Sequence, residues 1–412
     1  MATARYFVLD IDQAAAHSGL ESLGSGAGFN TRSMGMTGGA TSAPHRAGAA
    51  TPIKASVLEL SPKEVAEERK RTDGRVLERA FPLKLIAPLA AAAPKPAGAG
   101  SVAWGIAATM ADKSSLRGKG VTVAVLDTGI ARDHPAFARF TDETLIVKDF
   151  TDPAGTCTDQ QGHGTHCAGT IFGGEVGGTR IGIAPEVSRA LIGKVIPDDR
   201  GGDAGMLFEA MHWASRNQAN IVSMSLGFDF PGMVAQLVDE GTPQEVAVSN
   251  ALVIFTRNLR GFDRLMNFLR SNGDMLVVAA AGNESRRTDS GDFRISASLP
   301  SATDHVVAVG AYGRTGKSYT IAPFSNTDVG ISAPGVDILS AGLGGGLVEL
   351  SGTSQACPHV AGLGALWWQK LGSMADPDSV RGELLHAATR AKLPSDIADA
   401  DCGRGRALAP LS

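Results

Sequence analysis

The stretch VTVAVLDTG, residues 121–129, opens with six apolar or β-branched positions, one of them a threonine, then stops abruptly at an acid, a hydroxyl and a glycine. A run without alternation reads as a strand buried on both faces, which is how strands of a parallel sheet read. Four further runs share this character: RALIGKVI (189–196), ANIVSMSLG (219–227), DMLVVAAAGN (274–283) and DHVVAVGA (304–311). Helical patterns such as GMLFEAMHWASRN (205–217) and GFDRLMNFLRSNG (261–273) fall between some of them. Strands alternating with helices predict an α/β fold with a doubly wound parallel sheet from about residue 102 onward. Functional groups in such sheets collect beyond the carboxyl ends of the strands. The endings at Asp127, at SMSLGF (223–228) and at Asn283 are therefore the places to look for chemistry.

The composition narrows the classes of function. Across 412 residues, 38 Lys and Arg stand against 42 Asp and Glu, a formal net charge of -4. No nucleic-acid footprint or polybasic membrane patch is expected from that balance. Asp10 and Asp12 interrupt the apolar start MATARYFVLDID, and no segment is long and apolar enough to span a bilayer, so the expectation is a cytoplasmic chain with no membrane partner. Four cysteines, Cys157, Cys167, Cys357 and Cys402, lack paired spacing and are expected as reduced thiols.

The first hundred residues differ from the rest. Residues 1–87 read as a small α+β module: RYFVLDI (5–11), KASVLELS (54–61) and RVLERAFPLKLI (75–86) are strand-like, and PKEVAEERKRT (62–72) is helical. A Gly/Thr-rich insertion occupies about 20–52, and PLAAAAPKPAGAGS (88–101) reads as an Ala/Pro/Gly linker into a domain at 102–412.

Two more segments carry chemistry. GHGTHCAG (162–169) opens a helix with His163 in its first turn, and SGTSQACPHVAG (351–362) runs from a glycine turn into an apolar helix. Ser354 would then lie at a helix N-terminus, where unpaired N–H groups favour developing negative charge. A hydroxyl needs a base, and the imidazole of His163 has a suitable pKa. Asp127 would orient that imidazole, and the Asn283 amide with the Ser354 N–H would be the oxyanion donors. His163 and His166 have an HxxH spacing, but without a third ligand no metal is assigned.

The order Asp, His, Ser, with DTG, HGTH and GTSQACPHVAG, resembles the subtilisin-like serine proteases, or subtilases, over roughly residues 102–410. The resemblance implies Asp127, His163 and Ser354 as the catalytic triad and Asn283 as the oxyanion residue. It implies substrate binding at Ser225, Leu226 and Gly227, an edge segment that pairs with peptide backbone, and at Ala280, Ala281 and Gly282. PFSN (323–326) and SAPG (332–335) are also similar to the family's sequences. Gln355 and Cys357 depart from the usual Met and Thr without removing a catalytic group. The implied partners are protein or peptide substrates, and the chemistry requires no cofactor.

Many subtilases hold calcium after the histidine helix. The corresponding loop here, GGEVGGTRIG (173–182), offers only Glu175 as a carboxylate, so no site is assigned. The N-terminal module resembles the family's inhibitory propeptide in arrangement, and PLKLIAPLAAAAPKPAG (82–98) is expected to act as an intramolecular inhibitor in the cleft. Surplus sequence at about 229–256 leaves directly from the edge segment, as a lid or rim or as a packed excursion. AYGRTGKS (311–318) mimics a phosphate-binding loop, but strand-like residues and Pro323 follow it where a helix is required, so it reads as a surface turn. Two rivals to hydrolysis remain at this level: a silent peptide-binding protein on the same fold, and a peptidyl transferase using the same triad.

Overall fold

The computed structural model describes residues 3–10, 54–71, 76–90, 100–199, 201–271, 275–287 and 292–411. The insertion expected at 20–52 and most of the expected linker lie outside the described residues. The chain forms two compact units, Met1–Leu77 and Glu78–Ser412.

In the first unit the strands Ala4–Asp10 and Lys54–Leu60 pair antiparallel from Ala4↔Leu60 to Asp10↔Lys54. The helix Pro62–Glu68 starts at a capping box, in which Ser61 and Glu64 each satisfy the other's backbone N–H. The strand Val76–Arg79, third in this sheet beside Ala4–Asp10, begins in the first unit, which ends at Leu77.

The second unit is built on an eight-stranded sheet. From one edge the order is Ser318–Ile321, Val306–Thr315, Leu276–Ala280, Ile221–Met224, Thr122–Asp127, Arg189–Lys194 and Leu145–Asp149, with Ile331–Pro334 pairing parallel to Val306–Thr315. All pairs are parallel except that with Ser318–Ile321. Every residue of Thr122–Asp127 and of Leu276–Ala280 is buried, which is why these runs show no alternation. The helix Thr353–Leu371 is buried from Thr353 through Trp367 and packs on the central strands and on the helix His163–Phe172. Gly362 is needed for that packing, because a β-carbon there would stand 2.6 Å from Ile183 Cβ.

The stretch AYGRTGKS does not meet a helix. It completes the strand Val306–Thr315 and turns back through Gly316 and Lys317 into Ser318–Ile321, with Thr315 opposite Ser318. The surplus at about 229–256 folds as the helix Phe230–Asp239, capped by Asp229 accepting from the Gly232 N–H, and the first half of a second helix, Gln244–Ser271.

The run RVLERAFPLKLI is not one strand. It breaks at Ala80 and Phe81, and its second half, Pro82–Leu85, belongs to the second unit, between Gly202–Asp203 and Leu226–Phe228 and antiparallel to both. The division between the units therefore falls ten residues before the expected end of the N-terminal module at residue 87, because backbone pairing carries residues 82–90 with the larger unit.

Candidate active site

Asp127 closes the strand Thr122–Asp127 and His163 opens the helix His163–Phe172. They meet because Gly164 lies against the Asp-Thr-Gly turn: a β-carbon on Gly164 would stand 2.3 Å from the Gly129 carbonyl oxygen. His163 Nδ1 is 2.7 Å from Asp127 Oδ1, with side chains 2% and 1% exposed. The carboxylate can only accept, so Nδ1 carries the proton and Nε2 is free to act as a base. Nε2 has no hydrogen-bond partner among the described residues. Burial opposes protonation of His163, but the charge and hydrogen bond of Asp127, helped by the charge of Asp159, outweigh it and raise the imidazole pKa.

The start of the histidine helix is fastened by Asp159, a buried carboxylate. It accepts from the backbone N–H groups of Gln161 (3.0 Å), Gly162 (2.8 Å) and Thr165 (2.9 Å), and from the hydroxyls of Thr165 (2.7 Å) and Thr128 (2.9 Å). Burial opposes its ionisation, yet these bonds, led by those from Thr165, hold its pKa below the ordinary value. Lys194 braces the other side, its ammonium donating to the carbonyls of Thr128 and Thr158 and to Asp198.

Ser354 is the second residue of the helix Thr353–Leu371 and is fully buried. Its carbonyl accepts from Ser225 Oγ at 3.0 Å. Asn283 reaches the same place from the end of Leu276–Ala280. Its Oδ1 accepts from the Thr353 N–H (2.8 Å) and hydroxyl (2.9 Å), which turns its NH2 group toward the cleft. The loop that presents it passes through Gly282 at φ +114°, where a β-carbon would stand 2.3 Å from Asn326 Nδ2. Asn326 donates to the Ala281 carbonyl and accepts from the N–H groups of Glu284 and Ser285, which gives PFSN its role beneath this loop.

Residues of the same chain fill the cleft. Leu226 pairs with Leu85, Gly227 with Lys84 and Phe228 with Leu83, while Gly202 pairs with Leu83 from the other side. Ile86 is buried beside Gly227, and its carbonyl accepts from Ser354 Oγ at 3.0 Å. The next carbonyl, that of Ala87, accepts from Asn283 Nδ2 at 3.1 Å. Leu89–Ala90 then pairs antiparallel with Leu350–Ser351. The serine proton is thus directed at Ile86 rather than at His163, and the amide of Asn283 is aimed one peptide beyond it.

Residues 118–405 match the family described as the subtilase (peptidase S8) family. The chain belongs to the subtilase family of serine proteases. It is similar to a subtilisin from Bacillus sp. (strain TA39), 33% identical over 70% of this chain and 66% of that one, slightly under two thirds of the relative's length. It is similar also to an intracellular serine protease from Paenibacillus polymyxa, 33% identical over 68% of this chain and 76% of that one. The major intracellular serine protease of Bacillus subtilis (strain 168) is 34% identical, over 70% of this chain and 81% of that one.

Within this subtilase unit, Asp127, His163, Ser354, Asn283 and Ser225 to Gly227 converge on the cleft. Ala280 to Gly282 form the approach to Asn283; Ala281 N–H donates to the Val309 carbonyl and Gly282 N–H to Thr353 Oγ1. Cys167 Sγ lies 3.4 Å from the Ser354 carbonyl and 4.0 Å from His163 Nδ1, and Cys357 Sγ lies 3.5 Å from Ser223 Oγ. Burial raises the pKa of both thiols, that of Cys357 to about 11. Asp127, His163 and Cys167 come within 4.8 Å of one another at their ligand atoms. Metal binding there would need a thiolate, which burial and the neighbouring Asp127 carboxylate disfavour. His166 is a packing residue: burial lowers its pKa to about 3, and its Nε2 lies 2.9 Å from the Ile338 carbonyl.

Sequence reasoning missed Asp159, Lys194, Thr353 and Asn326. Only the motif DQQGHG, an acid three residues before the cap of a glycine-started helix, offers a local signal for the first of them.

Proposed function

We propose that this subtilase is a serine endopeptidase that hydrolyses peptide bonds through an acyl-enzyme. The observation that carries the reading is that Ser354 and Asn283 donate to consecutive carbonyls of one extended peptide strand, with a buried Asp127–His163 pair reached from Ser354 across Cys167. In this reading His163 Nε2 takes the Ser354 proton as the hydroxyl oxygen attacks the substrate carbonyl, then gives it to the leaving amine. Water enters, loses a proton to the same nitrogen and releases the acid, restoring Ser354. Asn283 Nδ2 and the Ser354 N–H stabilise the oxyanion in both steps. Asp127 keeps the imidazole in the required tautomer.

The segment Pro82–Ala90 is read as an intramolecular inhibitor. It takes the substrate's path, pairing with the edge strand Leu226–Phe228 by backbone hydrogen bonds. Attack on the Ile86 carbonyl requires the Ser354 proton to pass to His163 and the oxyanion donors to face that oxygen. Neither holds while Ser354 Oγ donates to Ile86 and Asn283 donates to Ala87. Among the described residues no helix is long and apolar enough to cross a membrane. A cytoplasmic setting is proposed, supported by the similarity to two intracellular serine proteases.

The test is reaction with a serine-directed fluorophosphonate, comparing the full chain with its Ser354→Ala variant. Labelling and peptide hydrolysis confined to the wild type are expected. A folded chain that never labels, even when its own segment is displaced, would leave a peptide-binding protein as the better reading.

A further inference from the structure

The cleft contacts do not end near the serine. Five residues before Ile86, Phe81 is fully buried, its ring 5.4 Å from that of Phe228, 6.3 Å from Phe230 and 5.6 Å from Phe255. Phe228 lies on the edge strand, while Phe230 and Phe255 come from the helices Phe230–Asp239 and Gln244–Ser271, the surplus sequence after that strand. Asn258, one turn beyond Phe255 and itself wholly buried, reads the peptide backbone on both sides of Ala80, immediately before this ring. Its Nδ2 donates to the Arg79 carbonyl at 2.9 Å and its Oδ1 accepts from the Phe81 N–H at 3.4 Å. The second Nδ2 proton goes to the Ile254 carbonyl of its own helix, 2.9 Å away, which holds the amide in this orientation whatever peptide lies across it. Further out, Glu240 accepts from both terminal nitrogens of Arg79, at 2.6 and 3.3 Å.

We infer that Phe228, Phe230, Phe255, Asn258 and Glu240 form a remote subsite, which selects extended peptides carrying an aromatic residue five positions before the residue whose carbonyl faces Ser354, and a basic residue two positions before the aromatic one. The inference rests on the cleft being a peptide-binding one, as proposed above. All five residues belong to the body of the unit, not to the segment that fills the site. When residues 78–90 leave, three rings lose their contact with Phe81 and the buried amide of Asn258 loses its two bonds to the peptide, keeping only that to Ile254. Exposed aromatic surface and an unsatisfied amide both favour refilling by a chain of the same pattern. An extended strand spans about 3.3 Å per residue, so the subsite lies on the order of 17 Å from the serine. It extends selection well beyond the residues flanking the reacting bond. The helical surplus thereby acts as a wall of the cleft, recognising peptide rather than closing over it.

The experiment uses the full chain carrying Ser354→Ala to prevent turnover, with Phe81→Ala and Ile86→Asp to weaken its own segment. Fluorescein-labelled ERAFPLKLIA, the sequence of residues 78–87, is titrated by anisotropy against the same peptide with its Phe changed to Ala or its Arg changed to Glu. The Phe change should weaken binding by about tenfold or more, and the Arg change by less, since that pair is partly exposed. A Phe255→Ala chain should distinguish the Phe and Ala peptides severalfold less than the Phe255-containing chain, since Phe228 and Phe230 remain; Asn258→Ser should weaken all three. Equal binding of the Phe and Ala peptides by the Phe255-containing chain, or binding of neither, overturns the inference. Fluorophosphonate labelling of the Ser354-containing chain is run alongside. If the serine labels but the peptides are not distinguished, the subsite alone fails. If the peptides are distinguished but the serine never labels, the endopeptidase reading alone fails.

Discussion

Replacing Ile86 by Asp should open the cleft of the full chain without touching any group assigned to the chemistry. Ile86 is 4% exposed and lies within the apolar core of the second unit. Its Cγ1 is 3.6 Å from where a Gly227 β-carbon would be, so the side chain lies against the edge strand. Removing a buried isoleucine from such a site forfeits about 1.5–3 kcal/mol. Leaving an unpaired carboxylate in its place adds a penalty of at least about 1–2 kcal/mol. Taking the lower ends together, the seated state loses roughly 2.5–3 kcal/mol, which lowers its population relative to the released state by about a hundredfold. The assay is the second-order rate of fluorophosphonate labelling of full-length wild type, Ile86→Asp and Ile86→Val. Labelling should accelerate between tenfold and a hundredfold for the Asp variant and only slightly for the Val variant. A folded Ile86→Asp chain that labels at the wild-type rate would refute the idea that this segment controls access to Ser354.

Four other outcomes follow from the same geometry, the first three measured on the released chain. His163 must be neutral to act as a base, and its pKa is raised, so activity should fall as the pH drops through a midpoint above the ordinary histidine value. Asp127→Asn should move that midpoint to lower pH and cut the rate by about 10^4-fold through loss of the correct tautomer; an unmoved midpoint in the pH–rate profile would contradict the assignment. Asn283→Ala should lower kcat by about 10^2 to 10^3-fold with little change in KM, and a loss confined to KM would argue for a binding role only. Cys157, with its pKa pushed up to about 12, and Cys167, Cys357 and Cys402 are all buried free thiols. A colorimetric thiol reagent at pH 8 should therefore find almost none in the native chain and all four after denaturation; prompt reaction of even one would refute this packing.

Much of the second unit was legible in one dimension because burial writes itself into the chain. Thr122–Asp127 and Leu276–Ala280 are covered on both faces, so their apolar runs are continuous and their ends, Asp127 and Asn283, are marked by the first polar residue. The histidine and serine segments announce themselves by glycines that permit close approach, as at Gly164. Strands such as Leu145–Asp149 and Leu347–Ser351 were missed because they are only partly buried, and partial burial leaves no unbroken run.

The sequence alone therefore determined the α/β class, the identity of the four converging residues and their likeness to subtilases, because each is encoded by a short contiguous pattern. What tertiary structure alone decided is where side chains distant in sequence meet. Asp159 beneath the histidine helix, the Thr353 bonds that aim Asn283, the break that delivers Pro82–Ala90 into the cleft, and the aromatic site around Phe81 all depend on contacts between separate segments. Hydrogen bonds and ring contacts of this kind form only after the sheet has brought their partners together, and no local periodicity records them in advance.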